Sequence, residues 1–390
     1  TTGRAKEGIL DFERLEVKDR QAIGGLLHGL DTNINDTAVI LYTSGTTGRP
    51  KGAVLSHRNL AANGHDCLRA IRMNHRDAVI CILPLFHSFA AMVCMILPLC
   101  AGAKIVVMKS VRPFKRIIRA IRKNRVTVFV AVPSVYNILK EMRLPRLFRI
   151  PLMKLFNPLK LCISGAAALP ADTLRQFEGK FRVPLLEGYG LTEASPVVTL
   201  NPLRGIRKAG SIGIALSKNI ELKVIDENGN ALGYGKTGEL LVKGPNVMQG
   251  YYHQPEASAE TIRQNWLYTG DMARIDEEGY VYIVGRRKEM INVRGFNVYP
   301  REIEEVLYQN PGIKEAAVIG VADEHKGEIP KAFVVLKENI ELSEHQVFQY
   351  LRDRLASYKI PKHIEFLPEL PKNTSGKILK RLLKNEEENK

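Results

Sequence analysis

At 390 residues the chain has room for two or three domains and a sizeable core. Its 45% hydrophobic and 25% charged residues are ordinary values for a soluble multi-domain enzyme, but 57 Lys and Arg against 41 Asp and Glu leave a net charge of +16, which draws attention to anionic partners. No apolar run reaches the length of a membrane span, residues 1–30 lack the apolar core of a signal peptide, and Cys67, Cys81, Cys94, Cys100 and Cys162 sit in apolar stretches without metal-ligand spacing, so they read as reduced core residues of a cytoplasmic protein.

In chain order, TAVILY at 37–42 predicts a short buried strand and NLAANGHDCLRA at 59–70 a helix. Between them runs YTSGTTGRPKG at 42–52. Gly45, Gly48 and Gly52 allow positive φ and bring backbone N–H groups close to an anion. Thr43, Ser44, Thr46 and Thr47 add hydroxyl donors, and Lys51 adds a point charge. The stretch reads as a polyphosphate-binding loop, although no Gly-Lys-Ser/Thr ends it; the alternative is a polar surface loop. Residues 89–103, FAAMVCMILPLCAGA, are too short for a membrane span and contain Pro98, so they read as a buried helix leading into a strand.

Strand-like runs then alternate with helix-length segments: VICIL at 79–83, KIVVM at 104–108, TVFVAV at 127–132, LKLCIS at 159–164 and VPLLEGYG at 183–190. That alternation predicts an α/β fold, with βαβ units and a mostly parallel sheet. From about residue 197 short strands and Gly/Asn turns take over, the Asp-Glu-Asn-Gly of IELKVIDENGNAL being a hairpin signal. The expected division is an α/β part over 1–196, a β-rich subdomain over 197–286 and a small α+β domain over 287–390, with KNEEENK frayed at the end. Residues 112–125 carry seven cations and no acid, with Phe114, Ile117, Ile118 and Ile121 on one helical face; 143–160 mix cations with Leu, Phe, Ile and Met. A solvated face on a packed helix is the default reading of 112–125. The functional alternative for both stretches is peripheral contact with an anionic membrane, at the inner leaflet for a cytoplasmic protein. Nucleic acid is not expected, because no reader motif accompanies the cations.

Seven strings occur in a fixed order: YTSGTTGRPKG at 42–52, PLFHSFA at 84–90, ISGAAALP at 163–170, GYGLTEASP at 188–196, YTGD at 268–271, GRRKEMINVRGFNVYPREIE at 285–304 and PKNTSGKILKR at 371–381. On these the chain resembles the adenylate-forming superfamily of acyl-CoA synthetases, luciferases and peptide-synthetase adenylation domains, and is most like bacterial medium- or long-chain fatty acid:CoA ligases. The resemblance covers about 36–380 and implies ATP, Mg²⁺ and CoA as reactants and cofactor. A carboxylate attacks the α-phosphate of ATP, pyrophosphate leaves, and the acyl-adenylate passes to CoA. Bringing two anions together requires a metal, cations and oriented donors.

By resemblance, Thr43, Ser44, Gly45, Thr46, Thr47, Gly48 and Lys51 hold phosphates, and Gly165, Ala166 and Ala167 belong to the ATP- or AMP-binding site. Thr192 touches the α-phosphate and Glu193 holds the metal. Tyr189 lies on the adenine, Asp271 accepts the ribose hydroxyls, and Arg286 contacts the ribose and phosphate region. Lys377 reaches the reacting groups from a C-terminal domain that later rotates about Lys288, bringing the loop of Gly295 to the pantetheine tunnel. His87 stands where amino-acid-activating relatives carry an acid, so an uncharged acyl chain is expected, in a pocket with Phe86, Phe89, Val132, Tyr136, Gly165 and Ala168. One departure is that only 41 residues precede the first string, where the family has a substantial stretch. The expectation is a member lacking its N-terminal part, as a piece of a longer chain or as a short gene product whose uncovered sheet edge would need a partner, a homodimer included. Three readings stay open: a fatty acid:CoA ligase, a CoA-independent acyl-adenylate synthetase, and a truncated non-catalytic nucleotide or acyl binder.

Overall fold

The computed structural model describes residues 33–43, 50–108, 113–142, 158–323, 327–372 and 378–388. Residues 1–36 form one unit and residues 37–390 another, and the four sheets of the described residues all lie in the second. Strands β1 (Thr37–Thr43) and β2 (Lys51–Ser56) pair antiparallel, with Thr43 opposite Lys51. The polar loop therefore joins two strands of a hairpin, not a strand and a helix as the sequence suggested. Nor is β1 buried: it is an edge of its sheet, its side chains are half-buried, and Tyr42 is exposed. Gly52 does not take positive φ. It is required for close approach, since a Cβ there would lie 2.8 Å from the Ile40 side chain.

Helix α1 (His57–Ile71) starts at a capping box in which Ser56 and Asn59 satisfy each other's backbone N–H groups. Its inner face repeats every four residues through Asn59, Asn63, Cys67 and Ile71. Asn63 both donates to the Val197 carbonyl at 2.6 Å and accepts from the Val197 N–H at 3.2 Å. After β3 (Ala78–Cys81) the expected buried helix forms in three pieces, Ser88–Ala90, a π-helical Ala91–Ile96 and Leu97–Ala101, and leads into β4 (Lys104–Val107).

The alternation continues through α2 (Phe114–Asn124), β5 (Val128–Ala131), α3 (Pro133–Glu141), β6 (Leu161–Ser164), α4 (Ala171–Phe181) and β7 (Leu185–Gly190). Strands β3 to β7 pair parallel, as predicted. β8 (Val197–Leu200) and β9 (Ile214–Ala215) extend the same sheet antiparallel, in the order β4-β3-β5-β6-β7-β8-β9. Because strand side chains alternate, Val79, Val128, Val130 and Ile163 pack on α1 and the π-helical segment, while Ile80, Phe129 and Cys162 pack on α2, α3 and α4. Four cysteines are buried as expected, but Cys100 is exposed in the last turn of Leu97–Ala101. On α2, Ile117 is buried and Phe114 and Ile121 pack against the core, which turns Arg116, Arg119 and Arg122 outward.

β10 (Glu221–Ile225) and β11 (Gly238–Lys243) pair antiparallel across the expected turn, where Asp226 accepts from the N–H groups of Asn228 and Asn230 and Gly229 has φ +86°. β12 (Gly250–Tyr251) returns to pair with β2. After α5 (Pro255–Thr261), strands β13 (Ile262–Arg263), β14 (Trp266–Ile275) and β15 (Val281–Arg286) complete a five-stranded sheet with β10 and β11.

The rest is α+β: β16 (Ile291–Val293), β17 (Phe296–Val298), α6 (Pro300–Gln309), β18 (Ile313–Asp323), β19 (Gly327–Leu336), α7 (Glu344–Arg352), β20 (His363–Phe366) and α8 (Lys380–Glu388). The expectation of a frayed end fails for 384–388. Leu383 is buried and Glu387 lies 2.6 Å from the shielded Lys331 ammonium, which pins the helix. Among the described residues no helix is long and apolar enough to cross a membrane.

Candidate active site

Loops leaving the C-terminal ends of the parallel strands line a cavity of about 1390 Å³, the usual ligand crevice of an open α/β sheet. Leu83, Pro84 and Phe86–Ala90 come from the segment after β3, Val132 from β5, Gly165 and Ala166 from β6, and Gly188–Glu193 from β7. Thr43, Lys51, Tyr251, Arg286 and Lys288 close the other side.

One cluster joins two sheets. Asp271, 3% exposed, accepts a 2.6 Å hydrogen bond from the Tyr189 hydroxyl on one oxygen and pairs with Arg286 Nε at 2.8 Å on the other. Burial and the Asp271 charge hold the Tyr189 phenol well above its ordinary pKa, so it remains a donor. Burial opposes the Arg286 charge, and Asp271, Tyr189, Glu289 and Glu193 together more than offset it. Tyr189 comes from β7, whereas Asp271 and Arg286 face each other across the β14–β15 ladder.

A second cluster lies on the 3₁₀ turn Thr192–Ala194. The Thr192 and Ser88 hydroxyls are 3.1 Å apart, and Glu193 Oε1 accepts from the Tyr251 hydroxyl at 2.8 Å. Lys51 lies 5.1 Å from the centroid of the Tyr251 ring. Threonine, carboxylate and ammonium thus line the same cavity. Neither Ser88 nor Tyr251 was singled out from sequence. Ser88 sits inside PLFHSFA and could have been found there, but Tyr251 reaches the site only because β12 returns to β2.

The cavity continues into an apolar branch walled by Cys67, Ile71, Val93, Leu97, Val197 and Leu200. His87, which also lines the cavity, is held below its ordinary pKa by burial, and its Nε2 has no hydrogen-bond partner among the described residues, so the ring is neutral at pH 7. The far edge of the Phe89 ring lies against Gly165, where a Cβ would come within 2.8 Å of it. Tyr136, expected in this pocket, is instead fully buried between Phe129 and Phe177, its hydroxyl hydrogen-bonded to the carbonyls of Phe129 and Ile163. The helix it occupies packs behind the sheet, on the side away from the branch. Ala167 and Ala168 are exposed and do not line the cavity.

Lys288 is exposed on the 3₁₀ turn Arg287–Glu289 between β15 and β16 and lines the cavity. Gly295, φ +86°, forms the β16–β17 turn with Arg294 and is not part of the cavity wall. Lys377 and the loop residues Ser44, Gly45, Thr46, Thr47 and Gly48 lie outside the described residues.

Sequence reasoning also passed over Glu187, one residue ahead of GYGLTEASP. It is 1% exposed, accepts from the Leu169 N–H at 2.9 Å, and so anchors the turn that follows Gly165. Its other oxygen has no partner among the described residues, nor does Nη2 of Arg301 on α6. Burial pushes the Glu187 carboxyl up to about 7, against the pull of Arg301 and the Leu169 N–H.

No group of three or more His, Cys, Asp or Glu able to hold a metal occurs among the described residues. The donor set fits Mg²⁺ held by Glu193 together with phosphate oxygens and water, the usual arrangement at nucleotide sites.

Residues 7–252 match the AMP-binding enzyme family and residues 302–377 the AMP-binding enzyme C-terminal domain. The long-chain-fatty-acid–CoA ligase of Bacillus subtilis (strain 168) is 40% identical over 355 residues, which are 90% of this chain and 62% of that protein. The feruloyl-CoA synthase of an Amycolatopsis species is 37% identical, over 90% of this chain and 70% of that one. Among solved structures, ATP-bound MatB from Rhodopseudomonas palustris superposes with a TM-score of 0.85 at 39% identity, covering 92% of this chain and 69% of its own. Bacillus subtilis MenE with its acyl-adenylate intermediate gives 0.79 at 30% identity, covering 90% and 70%. The chain thus spans about three fifths of the length of the curated fatty-acid ligases it matches, 62% for the first. From the two family matches and the solved structures at 30–40% identity, the chain belongs to the AMP-binding enzyme family.

Proposed function

We propose that the chain activates a fatty acid of medium or long chain with ATP, releasing pyrophosphate, and transfers the acyl group from the adenylate to CoA, yielding acyl-CoA and AMP. The observation that carries this reading is the meeting, in one cavity, of a polar set, Lys51, Thr192, Glu193 and Arg286, with an apolar wall and a neutral His87. An ammonium-bearing substrate would meet no acid there, whereas an alkyl chain would meet Ile71, Val93 and Leu97.

In this reading Tyr189 lies against the adenine, and Tyr189 and Arg286 hold the Asp271 carboxylate in the plane that receives the ribose hydroxyls. Thr192 donates to the α-phosphate with Ser88 orienting its hydroxyl, Lys51 and the loop of residues 43–48 hold phosphates, and Gly165 and Ala166 border the nucleotide. Glu193, oriented by Tyr251, would hold Mg²⁺, whose charge offsets the oxygens crowding around phosphorus. The carboxylate of the acid attacks the α-phosphorus as the bond to pyrophosphate breaks, with Lys377 donating to the reacting oxygens. Rotation of residues 287–390 about Lys288 then removes Lys377, brings Gly295 to the thiol's path, and lets the CoA sulfur displace AMP. The proposed location is cytoplasmic. The test is pyrophosphate release with ATP, Mg²⁺ and fatty acids of graded length, with and without CoA. Acyl-CoA formation supports the ligase, release without thioester replaces it with a CoA-independent synthetase, and no release from a chain that still binds ATP replaces it with a binding protein.

A further inference from the structure

A second cavity, of about 460 Å³, lies at the opposite end of the seven-stranded sheet. The catalytic crevice is built on the C-terminal ends of the parallel strands. This cavity is built on their N-terminal ends, where Ala78 opens β3, Lys104 opens β4 and Thr127 precedes β5. Its wall carries His75, Arg76, Lys104 and Arg125. The single acid there, Asp77, is already engaged: it accepts from Thr127 Oγ1 at 2.8 Å and the Asn74 N–H at 2.9 Å, and pairs with Lys160 at 3.1 Å. Among the described residues Lys104 bonds the neutral Asn124 amide oxygen, at 3.2 Å. Among the described residues no carboxylate stands within ion-pair distance of Arg76, Lys104 or Arg125.

A simpler explanation for cations here is that they complement helix ends, since α1, Leu97–Ala101 and α2 all finish at this end of the sheet. Three helix C-termini supply about half a negative charge each, which is roughly half of what three full cations carry, and Lys160 already caps α1 at the Arg72 carbonyl. A net positive concavity remains. It is continuous with α2, whose outward face shows Arg116, Arg119 and Lys123 and whose sequence holds no acid. Beside it, next to the turn at Gly102, where an added Cβ would lie 3.6 Å from His75, Leu99 is 64% exposed. A cationic strip, a concave anion site and an exposed leucine together match a layer of phosphates over hydrocarbon.

We propose that the cavity lined by His75, Arg76, Lys104 and Arg125 receives the phosphate group of an anionic phospholipid, so that this end of the sheet rests on a membrane and the catalytic crevice opens at the other end. The test is co-sedimentation of the 390-residue chain with vesicles of phosphatidylcholine, alone or with phosphatidylglycerol or phosphatidic acid. The parent is compared with R76Q/K104Q/R125Q and, as a strip variant, R116Q/R119Q/R122Q, after circular dichroism has shown all three folded. Each cation near an anionic surface is worth about five-fold in binding, so the cavity variant should lose on the order of 100-fold, and the parent should lose binding in 0.5 M salt. Phosphatidic acid, with its exposed monoester, should bind more tightly than phosphatidylglycerol at matched surface charge in the parent and not in the cavity variant. Absence of vesicle binding by the parent, or equal binding by parent and cavity variant, overturns the proposal. A melting temperature raised by inorganic phosphate in the parent alone, without vesicle binding, refutes the lipid source and assigns the cavity to a soluble phosphate.

Discussion

Replacing Glu187 by Gln should make the fold's stability less dependent on pH, with a sign fixed by burial. The carboxyl is 1% exposed and titrates near 7 in the folded chain against 4.5 for an unperturbed glutamate. Below about pH 4.5 folded and unfolded chains both carry the proton and the group contributes nothing. Between 4.5 and 7 the unfolded chain has released a proton that the folded chain retains, so stability falls as pH rises; above 7 the loss is constant. At 1.36 kcal/mol per unit the full loss is about 3 kcal/mol. Gln preserves the acceptor for the Leu169 N–H and cannot ionise. Urea unfolding followed by circular dichroism between pH 4.5 and 8 should show the parent losing about 3 kcal/mol relative to Glu187→Gln across that range. Removing Arg301, which pulls the carboxyl down, should carry the decline to higher pH. Parallel profiles for parent and Glu187→Gln would refute the idea that a neutral buried carboxyl anchors the Gly165–Leu169 turn.

Asp271→Asn leaves the Tyr189 hydroxyl and Arg286 without their shared anion, and should weaken ATP binding by roughly 10- to 100-fold in calorimetry, the scale of a lost charged hydrogen bond. Gly165→Val would push Phe89 into the apolar branch and should shift the preferred acid toward shorter chains in a coupled AMP assay; an unchanged preference would remove Gly165 from the pocket. Lys377→Ala should abolish adenylate formation while leaving thioester formation from supplied acyl-adenylate largely intact, and equal loss of both steps would undo the rotating-domain account.

Much of the fold was readable because the central strands are apolar on both faces and bounded by helix-length segments, the pattern a parallel sheet between helices imposes. β2 escaped notice because KGAVLS begins with residues that read as loop. Tyr136 and Cys100 were misplaced for a common reason: neither type of residue declares in sequence which side of an apolar helix it will take. Here Tyr136 turned inward and Cys100 outward. Tyr189, Asp271 and Arg286 were legible as members of short strings, but their mutual bonding depends on two sheets meeting and was not. The second cavity was invisible for the same reason, its cations being drawn from three separate segments of the chain.

The most direct test of the central claim follows oxygen. A fatty acid labelled with ¹⁸O in its carboxylate is incubated with ATP, Mg²⁺, CoA and the chain, and the AMP is examined by mass spectrometry. Carboxylate attack on the α-phosphorus followed by thiol displacement at the acyl carbon leaves one labelled oxygen on AMP. Unlabelled AMP, or ADP as the nucleotide product, would contradict activation through an acyl-adenylate.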